Sequence, residues 1–317
     1  MAQRYGGVLP TKEQLRMFNE RIDEGVHPLD WLWRHVAPDM AERRRARTCA
    51  LLALASAGDR NGFRGRSHLL LYDDQTGGTG KSALAGWIKR TMPDALGCGP
   101  DSSNAGLKYN ANTGTPGKLA QAHEGILRIE EFEKFDRTDR QATFEAMSEG
   151  KFEVDKGGIN AEFPAETRVI AVCNDINVLS DPLRTRFDFR LEMDAYGADE
   201  TVTVSHKRQD AFRERFVRGS VDTDGPAVVP AYIAWCSDHR PDLPKDSDAR
   251  IKQLTERLVR DGGRVGEIRR KEGLLRVAYT IAKLRRGDIR PHDWVRAVDL
   301  THPGVDAADL FADALDT

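Results

Sequence analysis

A parallel α/β sheet domain followed by a helical lid is the fold class this sequence predicts, and three observations predict it. Short apolar runs at Ser67–Tyr72 (SHLLLY), Gly125–Ile129 (GILRI) and Thr167–Cys173 (TRVIAVC) have the length of buried strands. Helical segments separate them, and a glycine-rich turn follows the first run. From about Asp199 onward the pattern turns helical and charged. Alternating strands and helices with a glycine turn after the first strand argue for a doubly covered parallel sheet, with helices on both faces.

Taken in order, Thr11 to Ile22 looks amphipathic. Asp39 to Ala57 reads as a helix with one apolar face and one basic face, and Arg43, Arg44, Arg45 and Arg47 read as a solvated helix side. Gly58 to Gly65 is a loop before the first strand. Ser82 to Thr91 reads as a helix stopped near Pro93. Gly97 to Gly117 is rich in Gly, Asn, Ser and Thr and reads as a loop or insertion. Arg137 to Glu149 reads as a helix, and Lys151 to Phe163 alternates around Asp155–Gly158 like a hairpin. Phe187 to Met193 is a further short strand.

Composition narrows the function classes. The 317 residues carry 48 Lys+Arg against 50 Asp+Glu, a formal charge of −2, which excludes a wholly basic nucleic-acid coat but leaves room for a local basic surface. No stretch approaches the ~20 apolar residues of a membrane span. The N-terminus lacks the apolar core of a secretory signal, so a cytoplasmic, nucleoid-associated protein without a membrane partner is expected. Cys49, Cys98, Cys173 and Cys236 form no CxxC pair, so neither a zinc ribbon nor a disulfide framework is expected. His292 and His302 have no partner at helical spacing and read as surface or capping residues.

Two motifs carry chemistry. Gln75–Ser82 (QTGGTGKS) lies between a strand and a helix and fits GxxxxGK[ST] except at its first position, where Gln75 replaces glycine. Gly77, Gly78 and Gly80 let backbone N–H groups turn toward phosphate oxygens, and Thr79 belongs to the same loop. The helix that follows adds its positive end. Lys81 would reach the β- and γ-phosphates of ATP, and Ser82 would offer its hydroxyl to Mg²⁺. An ordinary glycine turn before a helix is the competing reading.

The second motif closes the strand Gly125–Ile129 with Glu130 and Glu131, about 50 residues after the lysine. By itself a pair of acids ending a strand is weak; after a phosphate loop it reads as a magnesium holder, Glu130, and a residue that polarises the attacking water, Glu131. Arg128 is an unusual residue for a central strand.

The run from Gly125 to Asp188, including GILRIEEFEKF, EAM at Glu145–Met147, VIAVCN and DPLRTRFD, resembles the motor domain of the minichromosome-maintenance (MCM) helicases, a branch of the AAA+ ATPases. The likeness extends more weakly from Val36–Pro38 to Leu300. It implies an AAA+ P-loop core over 36–197, a helical lid over 198–300, an N-terminal extension over 1–35 and a tail over 301–317. It implies that Asn174 is sensor 1, that Arg186 is an arginine finger acting on a neighbouring subunit, with Arg184 the weaker candidate, and that Arg269 is sensor 2. Lys156 corresponds to the basic residue at the tip of the DNA-touching pre-sensor hairpin, and Gly106–Leu107 to the start of the helix-2 insert. The family's N-terminal tier and C-terminal winged helix have no counterpart here, so the resemblance implies a motor reduced to its core.

The expected activity is ATP hydrolysis driving translocation on single-stranded or forked DNA, in a homo-oligomer that is most simply a six-membered ring. A replication loader or a full-length MCM ring are the partners this implies. Three other readings stay open: an AAA+ ATPase that remodels protein, a nucleotide-gated binding module with little turnover, and a regulatory subunit that joins a full-length ring.

Overall fold

The computed structural model describes residues 8–73, 77–100, 107–110, 114–156, 159–217, 227–243, 256 and 268–307. Gln75 and residues 102–106 of the expected insert lie outside them.

The chain enters through α1 (Lys12–Asp23), whose start is fixed by a capping box. Gln14 N donates to Thr11 Oγ1 at 3.1 Å, and Thr11 N donates to Gln14 Oε1 at 3.0 Å. Its fully buried Phe18 packs against Trp31, Tyr232 and Trp235. Next comes α2 (Arg44–Ala55), shorter than the sequence suggests and buried at every residue from Ala46 to Ala55.

The basic face expected there is not a solvated one. Arg47 is buried, its Nε donating to Val36 O at 2.6 Å and its Nη2 to Arg34 O at 3.0 Å, with its guanidinium over the Trp33 ring. Arg43 pairs with Glu200 at 3.0 Å, and Arg45 donates to Leu300 O. Only Arg44 behaves as a surface residue.

Strand β1 (Leu69–Tyr72) leads through the glycine loop to α3 (Lys81–Thr91) and then to β2 (Ala95–Cys98). Composition marks Gly97–Gly117 as loop; the structure finds β2 at a sheet edge and a small antiparallel pair, β3 (Tyr109–Asn110) with β4 (Thr115–Pro116). Strand β5 (Ile126–Ile129), helix α4 (Arg137–Glu149), the hairpin β6 (Lys151–Lys156) and β7 (Ile159–Pro164), and strand β8 (Arg168–Cys173) follow where the pattern predicts them. Strand β9 (Phe189–Glu192) completes the sheet. The lid contributes α5 (Ala198–Phe212), α6 (Val228–Trp235), α7 (Ile268–Arg285) and α8 (Pro291–Thr301).

The main sheet is parallel throughout, in the order β2-β5-β8-β1-β9. Alternate side chains of β1 enter two different cores. Leu69 and Leu71 join a cluster with α2, α3 and the lid, whereas Leu70 joins one with α4 and the hairpin. Burial on both faces is why these strands read as unbroken apolar runs. β1 and β8 are neighbours, Tyr72 opposite Cys173, so the chain segments leaving their C-terminal ends emerge side by side. Ligands of open parallel sheets bind at that edge.

Candidate functional site

The glycine loop ends in an abrupt turn. Gly78 and Gly80 have φ of +77° and +86°, a region closed to most side chains, and Gly80 passes under Tyr196 so closely that a Cβ there would lie 2.1 Å from Tyr196 Oη. Helix α3 then starts at Lys81. A cavity of about 1180 Å³ opens over this turn, lined by Gly77–Ala83, Asp73, Asn174 and Tyr196, with one side of α5 across from them.

Lys81 is the centre of the site. Its Nζ donates to Asn174 Oδ1 at 2.9 Å and forms an ion pair with Asp73 Oδ2, which also accepts from Thr79 Oγ1 at 3.1 Å. Lysine and aspartate are both buried, so the pair is little screened. Glu133 in turn grips Asn174: Nδ2 donates to Oε1 at 2.9 Å and the backbone N–H to Oε2 at 3.2 Å. Sequence reasoning assigns Lys81 and Asn174 but reaches neither Asp73 nor Glu133. Two acids directly after an apolar strand and before a glycine loop, and a third acid two residues beyond Glu131, are the available signals.

The acidic pair stands at the end of β5. Glu130 pairs with Arg128 at 3.1 Å, which accounts for that unusual strand residue. Burial pushes the Glu130 carboxyl above its ordinary range; Arg128 opposes this and Glu131 adds to it. Lys81 is also within electrostatic reach of Glu130. Glu131 has φ of +49°, a strained backbone for a non-glycine residue, and pairs with Lys134. Such strain concentrates at working sites. The exposed Ser82 hydroxyl and the Glu130 carboxylate are hard oxygen donors of the kind magnesium prefers, so the residues present fit that ion.

Among the described residues that line this cavity Arg186 does not appear, and the Arg269 side chain lies outside the described residues. Arg186 lies with its guanidinium 4.7 Å from the centre of the Phe144 ring, whereas Arg184 is tied to Asp181. Arg269 sits in the first turn of α7. Lys156 is the last residue of β6, beside the hairpin turn. On the hairpin, Phe152 and Val154 face the core and Lys151, Glu153 and Asp155 face outward, with Glu153 directly opposite Glu162 and Lys151 bound to Glu162 at 2.6 Å.

All four cysteines are buried thiols outside any disulfide, and burial pushes Cys49, Cys173 and Cys236 each up to about 12. Among the described residues, no group of three metal-binding side chains forms and no helix is long and apolar enough to cross a membrane.

Comparison with known proteins agrees with this geometry. A profile of the MCM P-loop domain matches residues 16–191. The chain is 26% identical over 281 residues to DNA replication licensing factor MCM5 of Arabidopsis thaliana, which covers 76% of this chain and 38% of that protein. It is 26% identical over 258 residues to DNA replication licensing factor mcm6 of Schizosaccharomyces pombe, covering 70% and 28%. For DNA replication licensing factor MCM3 of Gallus gallus the identity is 26% over 262 residues, covering 74% and 31%. The matched region thus spans between a quarter and two fifths of each of these relatives.

Proposed function

The chain belongs to the MCM P-loop domain family, and from that premise we propose that it hydrolyses ATP to move along single-stranded DNA and open duplex during replication. The observation that carries the reading is the meeting of Lys81 with Asn174, which joins the phosphate loop to the strand end beside it.

The backbone amides of Gly77–Lys81 would hold the phosphates, and Lys81 would trade Asp73 for the β- and γ-oxygens. Magnesium, when bound, supplies charge neutralisation on those oxygens, and Ser82 and Glu130 would hold it. Glu131 would take a proton from the attacking water. Asn174, held by Glu133, would orient that water, and the Lys81 ammonium would stabilise the charge that develops. Arg186 and Arg269 would complete the site of an adjoining copy; Arg186 standing off its own chain's cavity supports that assignment. A ring, most simply of six subunits, follows from a finger supplied in trans. Lys156 would be the phosphate contact on DNA. The net negative outward face of the hairpin leaves its tip as the point of attraction.

One observation favours a second reading, a nucleotide-gated module with weak turnover acting on a protein partner or within a full-length MCM ring. Lys81, Glu130 and Glu131 each have a resident counter-ion, in Asp73, Arg128 and Lys134. Steady-state hydrolysis measured against protein concentration, with and without single-stranded DNA, separates the two. The motor requires turnover per subunit that rises with both, and that Lys81→Ala and Arg186→Ala abolish. Nucleotide binding with flat, DNA-independent turnover would refute the motor and leave the gated module.

A further inference from the structure

Two residues beyond Arg186, the chain buries a carboxylate that ties three separate elements together. The Asp188 side chain is 3% exposed. Its Oδ1 accepts from Arg276 Nη2 of α7 at 2.7 Å and from Arg64 Nη2, ahead of β1, at 3.4 Å. Its Oδ2 accepts the backbone N–H of His68 at 3.0 Å. Helix α7 comes this near because residue 273 is glycine: a Cβ there would stand 3.1 Å from Asp188 Oδ1. Gly273 and Arg276, three apart, share the helix face that meets the carboxylate. Arg269 lies seven residues before Arg276, about two turns or roughly 10 Å up the same helix. On the other side, Phe187 is buried between Asp188 and Arg186, so the backbone linking them is pinned.

We propose that Asp188 is a positioning residue that fastens the finger strand and the lid helix into one unit, so that Arg186 and Arg269 reach the neighbouring subunit's ATP in fixed relation. The inference deepens the motor reading and rests on it. Without the carboxylate, Arg64 and Arg276 face each other as buried like charges and the lid helix loses its anchor beside the finger. The chain's own phosphate loop, whose described residues share no hydrogen-bonding partner with this cluster, keeps its geometry. The defect is therefore one of action in trans.

Subunit mixing tests this. Asp188→Asn alone is expected to lose tenfold or more of its turnover while binding a fluorescent ATP analogue within twofold of the unsubstituted chain. Mixed with Lys81→Ala subunits, whose finger side is intact, it regains turnover that neither variant has alone. Mixed with Arg186→Ala subunits it regains none. Arg276→Gln, which leaves Arg64 to neutralise Asp188, gives the same pattern and covers the case in which Asp188→Asn fails to fold. Unchanged turnover in both variants overturns the proposal, as does loss that Lys81→Ala subunits do not rescue, since that marks a residue needed only for folding. If the unsubstituted chain shows no concentration-dependent turnover, the motor reading fails and this inference falls with it; if it does, the mixing results judge Asp188 alone.

Discussion

Two aspartates with buried side chains, Asp73 just after β1 and Asp188 just before β9, solve the same electrostatic problem at different ranges. Asp73 meets Lys81 and Thr79 from the loop that begins next to it, and Asn174 and Glu133 extend the network across the neighbouring ends of β8 and β5. Asp188 gathers Arg64, Arg276 and the His68 amide from segments more than 80 residues away on either side. The first network is built at strand ends of a single sheet and needs nothing from the lid. The second is complete only when the lid helix is docked. On the proposed reading, groups that serve the subunit's own nucleotide are fixed locally, whereas groups offered to a neighbour are braced from behind.

The largest expected effect breaks the first network. Lys81→Ala removes the phosphate cation and also strands Asp73 in a buried site, so ATP turnover should fall by on the order of 10²–10³. Nucleotide affinity should fall with it, which an equilibrium binding titration reads directly. Retained affinity would mean that Lys81 serves the fold through Asp73 and not the ligand. A smaller loss is expected from Glu133→Gln. Its amide oxygen can still accept from Asn174 Nδ2, but the paired carboxylate grip on the side chain and backbone is broken. About a tenfold drop in kcat with little change in KM is expected, because the interaction orients water more than it binds substrate. An equal rise in KM would assign Glu133 to nucleotide binding.

What the sequence discloses follows the same division. β1, β5 and β8 are legible because burial on both faces forces unbroken apolar runs, and α4 because Asp136 caps its start and Gly150 ends it. β2 is hidden because Ala95–Cys98 is a short edge strand containing a glycine, next to Pro93. Arg47 misleads for a different reason. An arginine run looks solvated, yet the turn Leu32–His35 leaves carbonyls near the N-terminus of α2 that a buried guanidinium satisfies. Lys81 is reached through the glycine-loop motif, and Asn174 only through the resemblance to the MCM motor domain. Asp73 acts on the loop beside it and is marked only by its place before that loop, whereas Glu133 and Asp188 act through partners 41 and up to 124 residues away in sequence, contacts that no local pattern encodes.

The hairpin sharpens the comparison at lower amplitude. Lys156→Ala should make single-stranded DNA binding less salt-dependent, its logarithmic slope falling by about 0.7 for each phosphate that the lysine neutralises. With Glu153, Asp155 and Glu162 facing outward, little basic surface on the hairpin flanks can compensate. An unchanged slope would move the DNA contact away from this hairpin.

The smallest effect concerns an acid with no arginine brace. Asp139 lies buried at the start of α4, beside a small cavity of about 220 Å³ lined also by Lys108, Asp136 and Asp155. Burial pushes its carboxyl up to about 6, Asp136 adds to the rise, and Lys108 opposes it. A carboxyl raised above its unfolded value of 3.8 favours the fold when protonated; that contribution is complete below about pH 4 and is lost as pH climbs through about 6. Asp139→Asn keeps the neutral shape at every pH. It should therefore raise Tm by a few degrees at pH 8 and leave it unchanged at pH 4, as read by thermal melts at the two values. The matched substitution Asp188→Asn should instead lower Tm, because the missing carboxylate had neutralised two guanidinium groups. Equal shifts in the two variants would show that the guanidinium brace does not distinguish these aspartates.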